Sequence, residues 1–106
     1  MAIAFVQEFA IGDRSTKNHD FVAAKLGDGP FDGLIVHTAG FDDEAGVWRV
    51  FEVWETREQA ERFLAEYVRP LVEQGPDAFP DPEAFTMPTR VAFYELRHVL
   101  DSSGSR

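Results

Sequence analysis

The chain has 106 residues, enough for one domain of one sheet and one helical layer, which at this size buries roughly 60–70% of its unfolded surface. Nineteen acidic against ten basic residues leave a net charge of −9, which argues against nucleic acid and anionic membranes as partners, since both reward Lys and Arg. The absence of cysteine excludes disulfides, thiolate metal sites and a cysteine nucleophile.

The opening Met1-Ala2-Ile3-Ala4-Phe5-Val6-Gln7-Glu8 lacks a basic start and meets a charge too early for a signal peptide. No apolar run approaches the ~18 residues of a membrane span. The expectation is a soluble, cytoplasmic protein. Ten Phe residues, a large share, must find cover in a core, a subunit interface or around a ligand.

Residues 3–9 are apolar and β-rich, ending before Gly12-Asp13, and read as a strand. Ser15 or Thr16 can cap a short helix in which His19, Val22 and Leu26 recur at helical spacing and which Gly27 stops. His19 reads there as exposed or packed. After the Asp28-Gly29-Pro30 loop, residues 33–41 and 47–55 form two strands joined by the polar turn 42–46. The acidic residues 42–44 show no coordination pattern and read as a solvated turn.

Thr56 and Gln59 form a capping box ahead of one apolar stripe of Ala60, Phe63, Leu64, Tyr67, Val68 and Leu71. Glu58 and Arg62 support the outer side as an i,i+4 pair, and Pro70 predicts a kink or pause near Arg69. Residues 75–89 hold four of the six prolines and form a long loop, either a lid over a pocket or a latch on a second subunit. Residues 90–100 return to strand character. Residues 101–106 read as a disordered tail after a single domain over 1–100.

The order β-α-β-β-α-β is the ferredoxin-like split arrangement, an α+β fold with strand order 4-1-3-2 and both helices on one face. The other face is apolar whichever parity is chosen. A second copy of the chain is the sufficient cover, so a homodimer is expected.

The runs 33–40 and 48–55, with the following helix to Arg69-Pro70-Leu71, resemble the dimeric α/β barrel superfamily. Within it they are most similar to the small proteins grouped with antibiotic biosynthesis monooxygenases. The resemblance spans residues 3–100 and implies the fold and the dimer. The group it points to contains cofactor-free monooxygenases, haem-degrading enzymes, cyclases and isomerases. The haem-degrading branch uses an Asn in the first strand, a Trp in the third and a His in the second helix. Here only Gln7 stands for the Asn, Trp48 or Trp54 for the Trp, and no His lies between Thr56 and Gln74, so that activity is not expected.

A four-residue loop 43–46 would pair positions summing to 89, placing His37 opposite Glu52 and Ile35 opposite Trp54. One face would then carry Ile35, His37, Ala39 and Phe41 beside Trp48, Val50, Glu52 and Trp54. Glu52 can hold the His37 imidazole in one tautomer and raise its basicity. Such a base in an apolar pocket can deprotonate a phenol or hydroquinone, whose anion reacts with O₂ without metal or flavin, as the resembled monooxygenases do.

His37 and Glu52 are therefore the candidate catalytic pair, no cofactor being required. Trp48 and Trp54 are candidate substrate platforms or, alternatively, core or interface rings. Gln7 and Tyr94 are candidate hydrogen-bond partners for a small aromatic or polyketide-like substrate. Two other readings share the pocket: a non-catalytic ligand-binding or stress-associated dimer, and a cyclase or isomerase. A cavity of a few hundred Å³ touching His37 favours chemistry; a filled core there favours a structural pair.

Overall fold

A computed structural model describes residues 1–12 and 14–100. The expected tail 101–106 lies outside these described residues. Four antiparallel strands, β1 (Ile3–Ala10), β2 (Leu34–Asp42), β3 (Val47–Trp54) and β4 (Arg90–Glu95), make one sheet in the order β2-β3-β1-β4. This is the 4-1-3-2 order of the ferredoxin-like α+β fold. Helix α1 (Lys17–Leu26) joins β1 to β2. Helix α2 (Arg57–Phe63) runs through a π-helical turn, Leu64–Val68, into α3 (Arg69–Val72).

Side chains alternate along each strand. On β1, Ile3 and Phe5 face the helices, and with Trp54, Ala60 and Phe63 they form the core, against which Leu26, Phe31, Leu34, Leu64, Val68 and Phe93 pack. The stripe read from the sequence thus places α2 correctly. Thr56 accepts from the Gln59 amide at 3.2 Å, as a cap should. Gln59 in turn lies so close to Gly33 that a Cβ there would sit 2.2 Å from its side chain, at a backbone φ of +86°. Only glycine serves at that contact.

Three local expectations are corrected. The register holds from Asp42↔Val47 to His37↔Glu52, but a bulge between Leu34 and Val36 puts Leu34, not Ile35, opposite Trp54. The effect of Pro70 appears earlier than Arg69. Its ring crowds the carbonyl four residues back, and the helix widens over Leu64–Val68 so that the Arg69 amide donates to Leu64. β4 also ends at Glu95 rather than at residue 100, with Leu96 donating to Ala2 as the last sheet-edge bond.

The face turned away from the helices is less uniform than its composition suggests. Across one end runs an ion-pair row, Arg90–Glu8–Arg49–Asp42, that crosses all four strands. Arg49 donates to Asp42 and Glu8, which holds the Asp42 carboxyl below its usual range and the guanidinium firmly protonated. Beyond that row Ala4, Val6 and Val53 are buried, while Val36 and Tyr94 remain 41% and 47% exposed. No helix among the described residues is long and apolar enough to cross a membrane.

Candidate functional site

The site begins with a carboxylate where carboxylates are rarely found. Glu52 sits on β3, 5% exposed, between the apolar positions Val50 and Trp54. A buried charge must be matched by hydrogen bonds. Glu52 has two. The Trp54 indole N–H donates to Oε1 at 2.9 Å, and Oε2 lies 2.5 Å from Nδ1 of His37 on the neighbouring strand.

Both contacts follow from the sheet. Residues i and i+2 on one strand share a face, which brings Trp54 to Glu52. Directly opposed residues on paired strands share it too, which brings His37. The hydrogen bond that His37 donates to Glu52, opposed by partial burial and reinforced by the carboxylate's charge, raises the His37 pKa above the ordinary histidine value. The carboxylate also fixes Nδ1 as the protonated nitrogen of the neutral ring. Nε2, without a hydrogen-bond partner among the described residues, is then the basic atom.

This pair forms part of the wall of a cleft of about 820 Å³ between the sheet, α1, α2 and the loop 76–88. No residue of α1 is fully buried, and Leu26 alone of the helix packs against the core cluster, which leaves the cleft open along the rest of it. Instead, Asn18 tethers the helix to the loop: its Nδ2 donates to the Asp81 carbonyl at 2.9 Å and its Oδ1 accepts the Asp81 amide at 3.0 Å. Phe21 packs on Phe79, and Phe79 on Phe85, closing the outer wall with rings. The volume lies within the range of small-molecule sites, and its lining is mainly apolar with a few convergent polar groups.

The residues singled out from sequence divide by position. His37, Glu52, Gln7 and Trp48 all line the cleft. Trp48 lies edge-on to Phe41, with ring centroids 4.7 Å apart. Trp54 does not line it: at 1% exposure it is a core ring against Phe63, and it touches the site only through its bond to Glu52. Tyr94 pairs with Ala4, on the opposite face of the sheet from Phe5 and the cleft. The loop lines the cleft through Phe79, Phe85 and Met87.

Sequence reasoning missed His19. Its ring stands 6.1 Å from His37 at 11° between planes, and 5.2 Å from Trp48, edge-on. The only signal for it was its place on the inward stripe with Val22 and Leu26. Arg14, over the Phe41 ring at 4.1 Å and ion-paired with Asp43, was missed as well. Among the described residues no group of three or more His, Asp or Glu side chains is arranged to hold a metal ion.

No family model matches the sequence, and no curated protein matches it. The solved structures do hold a match. A crystal structure of a protein provisionally named an antibiotic biosynthesis monooxygenase, from Chloroflexus aurantiacus J-10-fl, superposes with a TM-score of 0.60. The match covers 95% of this chain and 98% of that one at 12% identity. At that identity the likeness concerns architecture alone. The chain has the ferredoxin-like α+β fold of that monooxygenase-type protein, as its sequence resemblance implied.

Proposed function

We propose that the chain binds a small, largely apolar aromatic compound in the cleft, and that His37, oriented by Glu52, acts on it as a general base. The observation that carries this reading is a basic imidazole nitrogen left free at an open, ring-lined cavity by a buried carboxylate on its other side. A purely structural pair needs no such space beside it.

The reaction that suits this arrangement is cofactor-independent oxygenation of a phenol, a hydroquinone or an anthrone-type carbon acid. Nε2 removes the acidic proton, and the charge spreads through the aromatic system. The electron-rich carbon forms a bond to dioxygen, passing it two electrons, and the His37 imidazolium returns its proton to the peroxide. For an anthrone, loss of water breaks the O–O bond, takes the second C–H proton, and leaves a quinone. One O₂ is consumed and one water released per substrate. The apolar lining excludes competing water and strengthens the hydrogen bonds on the base. A fold shared with a monooxygenase-type protein supports this reading by analogy.

Oxygen-electrode measurements with anthrone test it. The wild type should consume oxygen above the uncatalysed background, and His37→Gln, which keeps a donor for Glu52, should lose at least about 100-fold of the rate. Undiminished uptake in that variant removes His37 as the base. Turnover of an enolisable substrate without oxygen uptake would move the assignment to an isomerase.

We also propose that two copies pair through the sheet face opposite the cleft, where Val36 and Tyr94 are exposed beyond the ion-pair row. This arrangement leaves both clefts accessible.

A further inference from the structure

Deprotonating a phenol or enol creates an oxyanion, and an apolar cleft needs something to receive that charge. The base itself becomes a cation on one side. The structure presents a second imidazole on the other.

His19 lies on α1, facing the cleft, with its ring nearly parallel to His37 at 6.1 Å between centroids. Its side chain is 31% exposed, and its Nδ1 is 3.4 Å from Oδ1 of Asp20. The two histidines are therefore arranged alike. Each has a carboxylate at Nδ1, buried Glu52 for one and exposed Asp20 for the other, and neither Nε2 has a hydrogen-bond partner among the described residues. Trp48, edge-on to His19, supplies an aromatic surface beside both. The neighbouring residue Asn18 is anchored to Asp81 by two hydrogen bonds, so the His19 end of the helix is held to the loop, while Leu26 at the far end packs on the core.

We propose that His19 is a second catalytic residue of the cleft: as an imidazolium it donates from Nε2 to the oxyanion formed when His37 takes the substrate's proton, so the substrate is an aromatic phenol or enol rather than a neutral hydrocarbon. This rests on the reading of His37 as the base. No proton passes from His19. It donates a hydrogen bond and offsets the charge, while the proton removed resides on His37. The charged groups around it are Asp20 on its own helix, Glu52 and His37 on the sheet, Asp81 and Glu83 on the loop, and Arg14 at the entry to α1. Arg14, over the Phe41 ring, is ion-paired with Asp43.

The probe is 4-nitro-1-naphthol, whose anion absorbs in the visible, added to the whole chain and titrated across the acidic to mildly alkaline range. In the wild type the bound probe should ionise with a midpoint lowered by roughly one pH unit relative to free solution. His19→Gln should return about half of that shift, and His37→Gln the remainder. A merely structural role for His19 would weaken affinity and leave the ionised fraction of bound probe unchanged. Melting curves of His19→Gln and His19→Asn check that both variants are folded.

If His19→Gln and His19→Asn show the wild-type shift while His37→Gln abolishes it, His19 has no such role and His37 remains the base. If the wild type shows no shift, or the probe does not bind, the assignment of both imidazoles is overturned.

Discussion

At the residue scale, one buried carboxylate organises the site. Glu52 can be 5% exposed because Trp54 and His37 each satisfy one of its oxygens, and removing either donor leaves a buried acceptor short. Trp54→Phe keeps most of the ring's packing and deletes the indole N–H. It should cost about 1–3 kcal/mol in urea unfolding. His37 adds a pH dependence of stated sign. Its pKa is raised in the folded chain, so its contribution is present in full below the ordinary histidine value of about 6.5 and disappears as pH rises through the folded value. The difference in melting temperature between wild type and His37→Gln should therefore shrink on going from acid to mildly alkaline pH. A difference that grows instead would mean that Glu52 does not stabilise the imidazolium.

At the element scale, what could be read from the sequence followed periodicity and turn chemistry. Four turn residues, 43–46, were enough to pair His37 with Glu52, because hairpin length sets register and register sets which side chains share a face. That inference failed only at the bulge by Ile35, where no glycine or proline marks the extra residue. The π turn at Leu64–Val68 was similarly silent: Pro70 announces a disturbance but not whether it is met by a kink or by widening. His19 escaped because nothing in α1 distinguishes a stripe that packs from one that lines a void. Tertiary anchoring decides this, and here the anchor is Asn18. Asn18→Ala should release α1 from the loop, speed amide exchange along residues 17–26, and weaken binding of aromatic ligands several-fold, with little change in the exchange of the β1 and β3 amides. Unchanged α1 protection would show that Phe21 on Phe79 holds the helix without it.

At the scale of the whole molecule, the two faces of the sheet have different work. One side holds the cleft and its polar pair, roofed by α1 and the proline-rich loop. The other combines a charged row with exposed Val36 and Tyr94, a surface suited to a second copy. Sedimentation equilibrium at micromolar concentration should give twice the 11.9 kDa chain mass. Tyr94→Lys, which does not touch the cleft, should shift that mass towards the single chain. A wild type that stays monomeric at these concentrations would rule out the pairing without touching the cleft chemistry.

The base assignment itself is most directly examined by the pH profile of anthrone oxidation, background-corrected, in wild type and Glu52→Gln. Because the neutral imidazole is the reactive form and Glu52 raises its pKa, kcat/KM should climb with pH through a midpoint above the ordinary histidine value, and Glu52→Gln should lower both the midpoint and the rate. A profile flat across this range, or one whose midpoint Glu52→Gln leaves in place, would contradict the account.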